Sequence, residues 1–345
     1  MTVSGWIAGI VFLIVYLCLV FFDKHKALVA WGGVLVLLIT GILGWREGIS
    51  SINWNVLGIF WGTFVIAELF VGSNVPAFFA VGIARRCKNV GTAILAISVL
   101  SGIISAFVEN VATVLIVAPV AFEVAKRVKV SPVPFLIGIA ISSNLQGAAT
   151  LVGDPPSMIL AGFMGMGFND FFFMRGRPGM FFAVELGAVC SLIVLYLIFK
   201  RYRAPVLELG KVEVKTWVPF WLMVGMVVVL ALGTSYNKEW AAGAICVASG
   251  IVGLVFAGVK DIGKKMDNLV GRGFDWETFA FLAAIFILVG GLVCTGVVDV
   301  LAGVVGRIAC GNTFIMYSIM VWAAVVFSAF IDNVPYVAAT IPVGI

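Results

Sequence analysis

Residues 89–122 carry one charged side chain, Glu109, set near the middle of the stretch with Asn110 beside it. A membrane-crossing helix needs about 20 apolar residues, so this run is long enough either to cross and return or to enter the bilayer and turn back inside it. In both cases an acid is carried to the turn. The rest of the chain has the same character: of 345 residues 62% are hydrophobic and 11% charged, with a mean hydropathy of +1.16. A soluble domain is about 25% charged. A water-soluble globular protein is thereby excluded, and the fold class is an all-α polytopic membrane protein with room for about ten membrane segments. The lipid bilayer is its first partner, and the net charge of +5 reports orientation in it, not binding to nucleic acid. The six cysteines, at 18, 87, 190, 246, 294 and 310, have no paired spacing, and the one histidine, His25, lies in a charged loop. Neither a disulfide framework nor a His/Cys metal site follows, and no cofactor is called for. The first apolar run, 6–22, has no basic residue before it and no small-residue cleavage site after it, so it reads as a retained helix.

Apolar runs between charged breaks predict helices near 6–22, 27–44, 55–72, 74–87, 90–108, 111–125, 134–145, 156–168, 179–199, 217–235, 240–258, 276–295, 297–310, 313–330 and from 334 onward. Placing the N-terminus outside puts 17 of the 22 Lys and Arg in the cytoplasm and leaves Arg46, Arg175, Arg177, Lys238 and Arg307 outside. That bias fixes the orientation by the positive-inside rule, and the implied location is the plasma membrane of a bacterial or archaeal cell. The polar stretches 200–216 and 259–275 are then cytoplasmic, and 45–54 faces outward. The arm after Asn110 is apolar only to about Ala125, before KRVK at 126–129. At 1.5 Å per residue it falls short of the ~30 Å hydrocarbon core. The expectation is a re-entrant hairpin over 90–125 with Glu109 and Asn110 at its buried tip.

The chain also repeats itself. SAFVENVATVLIVAPV at 105–120 aligns without a gap to SAFIDNVPYVAATIPV at 328–343, with eight of sixteen positions identical, and Glu109–Asn110 falls on Asp332–Asn333. A nearly equal offset pairs Trp54 with Trp276 and FVIAELFVGS at 64–73 with FILVGGLVCT at 286–295. The first copy opens toward basic loops and the second does not, so the copies read as inverted, an architecture of secondary transporters. The first copy runs on into SSNLQGAATLVGDPPSM at 142–158, where Gly147, Gly153, Pro155 and Pro156 cannot sustain a helix. Inside lipid such a break must be buried in protein or line a cavity. The domain reading is N-terminal helices over 1–50, then a first repeat over 51–168 with its hairpin at 90–125 and broken helix at 134–168. Connecting helices and loops occupy 169–272. A second repeat fills 273–345, and its own break would fall past Ile345, so it reads as incomplete.

Taken together, SAF(V/I)(E/D)NV with its arm ending in Pro, SNLQGAATLVGDPP, and the second SAFIDNVPYVAATIPV resemble the ion transporter superfamily. The resemblance covers residues 50–345. It is nearest the branch that groups arsenite permeases, NhaD-type sodium/proton antiporters, the pigmentation P protein, plant silicon exporters and citrate transporter-like proteins. It implies two inverted repeats with re-entrant hairpins and broken helices, and an ion-coupled secondary transporter rather than an enzyme. The implied coupling ion is H⁺ or Na⁺ and the cargo a small ion or oxyanion; a homodimer is compatible with this. In the related dicarboxylate transporters the hairpin tip reads Ser-Asn-Thr and serves sodium and substrate carboxylate. Here the tips read Glu109-Asn110-Val111 and Asp332-Asn333-Val334, which argues against a dicarboxylate bound in the same way.

Glu109, Asp154 and Asp332 are the acids placed near the midplane, where a charge costs at least ~2.5–3.5 kcal/mol; each is therefore protonated, cation-bound or solvated. The alternative is that each caps a half-helix, since carboxylates accept backbone N–H bonds at helix starts. Asn110, Asn333, Ser143, Asn144 and Thr150 are neutral oxygen donors suited to a polar solute, and Asn110, Asn144 and Asn333 also suit Na⁺. Gly147 and Gly153 would let a solute approach the backbone. Glu68 is an acid inside a span whose repeat partner is Gly290, and proton relay and helix packing stand equal for it. Glu185 is similarly open. Glu123 precedes Lys126 and Arg127 by one turn and reads as a salt-bridged helix end, while Gly290 and Gly291 read as close helix contacts. With no basic residue at the midplane, the leading reading is a proton-coupled transporter of a small inorganic anion or neutral oxyacid such as arsenite. A sodium/proton antiporter is the runner-up, and an inactive or partner-dependent product is third. The orientation is checked by labelling from outside: a Cys placed at Asn237 should react with an impermeant maleimide and one at Lys211 should not. The reverse pattern would overturn it.

Overall fold

In lipid a helix satisfies its own backbone, and the apolar runs accordingly become helices. The computed structural model describes residues 2–22, 25–205, 210, 212–233, 240–259, 274–310, 312–328 and 333–344. Asp332, positions 211 and 237, and most of the 259–275 stretch lie outside them. In chain order the helices are α1 (Val3–Phe21), α2 (Lys26–Ile39), α3 (Trp45–Ser51), α4 (Trp54–Gly72), α5 (Val75–Arg86), α6 (Val90–Ser105), α7 (Asn110–Val128), α8 (Val133–Gly147), α9 (Pro155–Met164), α10 (Met180–Phe199), α11 (Val218–Gly233), α12 (Ala241–Val259), α13 (Trp276–Cys294), α14 (Val297–Ile308), α15 (Thr313–Ser328) and α16 (Asn333–Gly344). Of these, α1, α4, α10, α12 and α13 are each long and apolar enough to cross a membrane. A small hairpin pairs β1 (Phe173–Met174) with β2 (Arg177–Pro178) around Arg175 and Gly176, at φ 51° and 76°. The all-α polytopic expectation holds.

Two local expectations need correction. The sequence reading leaves 45–54 as a loop, whereas it contains α3, whose first turn closes when the Glu47 carboxylate accepts the Gly44 N–H at 2.9 Å. The sequence reading also ends the arm after Asn110 near residue 125, but α7 continues through the basic run to Val128. Glu123 bonds Arg127 one turn on at 2.8 Å, so the charges extend the helix instead of stopping it. With 19 residues α7 is about 28 Å long, and its length alone does not place the hairpin tip inside the membrane.

The repeat is visible helix by helix. α4 and α13 start at 54 and 276 and end at 72 and 294; α5 and α14 start at 75 and 297 and end at 86 and 308. α6 and α15 run 90–105 and 313–328, and α7 and α16 start at 110 and 333. The offset is 222, rising to 223 past the loop after α14. Even the turn between the first two members recurs: Asn74 and Gly296 both take the left-handed conformation, at φ 64° and 72°. The residue before each, Ser73 or Thr295, donates its hydroxyl back to its own helix, to Phe70 O at 2.6 Å and Gly291 O at 2.8 Å.

Contacts divide the chain into two units. The first comprises 1–57, 162–164 and 275–345, so it joins α1–α3 to α13–α16; in it α2 packs on α13. Gly290 faces Ser51 and Gly291 faces Leu37 closely enough that no Cβ fits without a shift, as close helix contacts require. The second unit comprises 58–161 and 165–274, so α4 from Gly58 onward is packed with α5–α12. There α12 lies on α4: a Cβ on Gly58 would come 3.3 Å from Gly243, and one on Gly62 would collide with the Cys246 carbonyl. Small residues spaced by four let two helices approach in the absence of a hydrophobic drive. Since α11 and α12 begin at 218 and 241 and α1 and α2 at 3 and 26, each unit combines the leading helix pair of one copy with the later helices of the other. Gly62→Val should therefore lower the melting temperature of the detergent-purified chain, by overpacking of about 1–3 kcal/mol, while Gly82→Ala, which meets nothing within 4 Å, should not. Equal melting curves would remove Gly62 from the interface.

Candidate functional site

Where α8 stops at Gly147 and α9 begins at Pro155, seven residues lie outside any helix, and among them Ala149, Thr150, Leu151 and Val152 are fully buried. The end of α8 and the break are tied to the turn between α6 and α7. Ser105 Oγ donates to Ser143 O at 2.8 Å, Thr150 Oγ1 donates to Ala106 O, and Asn110 Nδ2 donates to Asn144 Oδ1 at 3.0 Å. Gly153 lies against the carbonyls of Gly147 and Ser105, where a Cβ would not fit. The hairpin tip and the broken helix of the first repeat thus form one cluster within the second unit.

Its depth follows from α10. Gln146 Nε2 donates to Glu185 Oε1 at 2.9 Å, and Gly187 faces Leu145. Glu185 stands 14 residues from Phe199, about 21 Å from the basic end of that 20-residue span and about 8 Å from the other end. α6 agrees: its first residues are tied to that basic end by Val90 N–H to Ala204 O and Gly91 N–H to Tyr202 O, both at 2.9 Å. Its 16 residues then reach about 24 Å inward. Measured along α10, the tip stands level with the Gln146–Glu185 pair, toward the end of the helix away from Phe199.

The candidate residues separate into two groups. Asp154 is 5% exposed and caps α9, its Oδ1 accepting the Ser157 N–H at 3.0 Å, while its carboxylate packs on Gly147. Ser143 turns its hydroxyl to Ala140 O at 3.3 Å, and Thr150 spends its own on Ala106 while accepting the Val152 N–H at 3.3 Å. These residues, with Gly147, hold the break together. Glu109, Asn110 and Asn144 are less enclosed. Glu109 begins α7 yet its side chain makes no cap bond to it. It lines a cavity of about 10 Å³ with Thr63, Phe64 and Ala67 of α4 and with Val152, Pro155 and Met158 of the break. That volume is room for about one water. Glu68 is half-buried on α4 but is not among the lining residues, being turned about 100° from Ala67. In the first unit, Asn333 accepts the Ser328 hydroxyl at the start of α16. Asp332 lies outside the described residues. Sequence reasoning missed Ser105, Thr63 and the Gln146–Glu185 pair. The repeat of Ser105 at Ser328 was the available signal for the first; nothing local marks the other two.

The sequence profile of a family described as "Citrate transporter" matches residues 16–345. A 46 kDa membrane protein of Mycobacterium leprae is 29% identical over 345 residues, covering 98% of this chain and 80% of that protein. An uncharacterized transporter of Mycobacterium tuberculosis is 30% identical over 298 residues, covering 85% of this chain and 68% of its own length. The magnetosome protein MamN of Magnetospirillum gryphiswaldense is 26% identical, with 93% of this chain and 74% of that protein aligned.

Two substitutions separate capping from charge at Asp154. Asp154→Asn should melt close to the parent because an amide oxygen also accepts the Ser157 N–H, whereas Asp154→Leu should lose about 1–2 kcal/mol. Thermal melts in detergent measure both, and a Leu variant as stable as the parent would dismiss the cap.

Proposed function

The chain belongs to the citrate transporter family, and from that premise we propose that it is a proton-coupled secondary transporter of a small inorganic anion or neutral oxyacid of the arsenite type. Glu109 carries the coupling ion, and the Asn110–Asn144 amides carry the polar groups of the solute. The observation that supports this is the contrast between two acids in one unit. Asp154 is buried as the cap of α9 and does not line the cavity of about 10 Å³, whereas the Glu109 side chain is part of its wall. A space for one water suits a proton or a single small cation, and the solute must sit elsewhere.

No Lys or Arg lines that cavity, so anionic cargo has only amides and helix dipoles to meet it. A citrate ion would enter such a site only with its carboxylates protonated or neutralised by a bound cation. By the repeat, Asp332 and Asn333 take the corresponding part in the second copy. The basic loops lie in the cytoplasm, the N-terminus lies outside, and the membrane is the plasma membrane. A second reading, sodium/proton antiport, draws on the amide oxygens beside Glu109, which suit Na⁺.

Purified chain in proteoliposomes under a proton gradient tests the proposal. The parent should accumulate arsenite with proton movement, and Glu109→Gln, which keeps the shape and removes the titratable group, should abolish coupled uptake without reducing expression. Unchanged uptake in the Gln variant would overturn the role of Glu109. Proton flux driven by a sodium gradient with no solute present, and lost in the same variant, would establish the antiport reading instead.

A further inference from the structure

In the second unit α8 and α10 run antiparallel, with Gln146 against Glu185 at one end and Pro134 beside Phe199 and Tyr202 at the other. Between them lies a groove of about 490 Å³. Leu195 and Phe199, each 3% exposed, form its floor, and Ile137, Ile141, Val194 and Ile198, 42–54% exposed, form its rims. Since α10 is a membrane-length apolar helix with little of its surface covered by protein, the groove opens to lipid. Its one charged lining residue is Arg201, at the end where α10 stops. The guanidinium stands 5.5 Å over the ring of Tyr202, and the backbone beneath is pinned to α6 by the Tyr202 and Ala204 carbonyls. Lys200 and Arg203 flank it in sequence. Among the described residues no carboxylate pairs with Arg201.

We propose that this groove binds one anionic phospholipid, an acyl chain lying along Ile141, Ile137 and Ile198 and the headgroup phosphate on Arg201. The chemistry is complementary at both ends. An apolar trough parallel to a span matches a hydrocarbon chain, and guanidinium pairs with phosphate through two parallel N–H bonds. Basic pockets between transmembrane helices at a membrane face recruit anionic headgroups for the same reason. A zwitterionic headgroup offers the same phosphate but carries its own cation, which Arg201 and its neighbours repel. Anionic lipid is therefore favoured over neutral lipid of equal chain length.

Native mass spectrometry of the purified, delipidated chain reads this directly, with dioleoyl phosphatidylglycerol, dioleoyl phosphatidylcholine and sn-glycerol 3-phosphate as probes. The parent should retain one phosphatidylglycerol with about fivefold preference over phosphatidylcholine. Arg201→Gln should reduce that preference to parity, Arg201→Lys should keep part of it, and Ser191→Trp, which fills the groove, should lower retention of both lipids. Arg46→Gln, a charge removed in the other unit, should leave the preference as it is. Equal retention of the two lipids by the parent would overturn the proposal, and so would an undiminished preference in Arg201→Gln. Displacement of the lipid by glycerol 3-phosphate at equal concentration would overturn the part assigned to the groove. The parent comparison decides the matter even where a variant fails to fold.

Discussion

An unpaired backbone amide or carbonyl in hydrocarbon costs several kcal/mol, and the break at 148–154 creates a set of them. The organisation of the second unit follows from that debt. Thr150 reaches across to Ala106, Ser105 reaches back to Ser143, and Asp154 closes the first turn of α9. Glycine at 153 is required because the carbonyls of Gly147 and Ser105 come too close for a side chain. The hairpin is therefore more than a carrier for Glu109 and Asn110. It is tied to α8 and to the break by one hydroxyl bond each way, Ser105 to the Ser143 carbonyl and Thr150 to the Ala106 carbonyl, while the backbone amides of Ala149, Val152 and Ser157 find partners within the break and its helix ends.

The same scarcity of driving force governs the helix contacts. Lipid is as apolar as a leucine side chain, so helices associate by close packing, and glycines serve this in both copies, at 58 and 62 near the start of α4 and at 290 and 291 near the end of α13. Gly58 and Gly62 meet α12 and Gly291 meets α2, each the second helix of the opposite copy, while Gly290 meets Ser51 at the end of α3. A unit built this way cannot be cut from the sequence as one continuous repeat. That is why the domain reading along the chain, with a first repeat at 51–168 and a second from 273, describes the order of elements but not the way they pack.

Much of the fold was legible because apolar period and charge breaks survive without competition in a membrane protein: the helices lie within a few residues of their expected places, and the repeat fixes their correspondence. What was not legible has local causes. The Glu123–Arg127 pair lies in the basic run that forms the last turn of α7, and the Glu47 bond to Gly44 closes the first turn of α3 in an apparent loop. At the site, residue type told which groups can bind an ion but not which are already engaged. Ser143, Thr150 and Asp154 have the right oxygens and spend them on the fold, whereas Gln146 and Glu185, 39 positions apart, meet only because α8 and α10 are antiparallel.

Glu109 is the N-cap of α7, with non-helical backbone at φ -47° and ψ 139°, and Asn110 is the first helical residue, so the chain changes direction between them. They therefore address different neighbours: Glu109 faces the cavity walled by α4, and Asn110 faces Asn144 on α8. An acid and an amide side by side thus add one backbone step to the links that Ser105 and Thr150 already make between these surroundings. Capping needs only one acceptor and would be met equally by Ser or Asp at one position. Two different groups aimed two ways, at a turn tied to α8 and to the break by Ser105 and Thr150, are more than a helix cap requires.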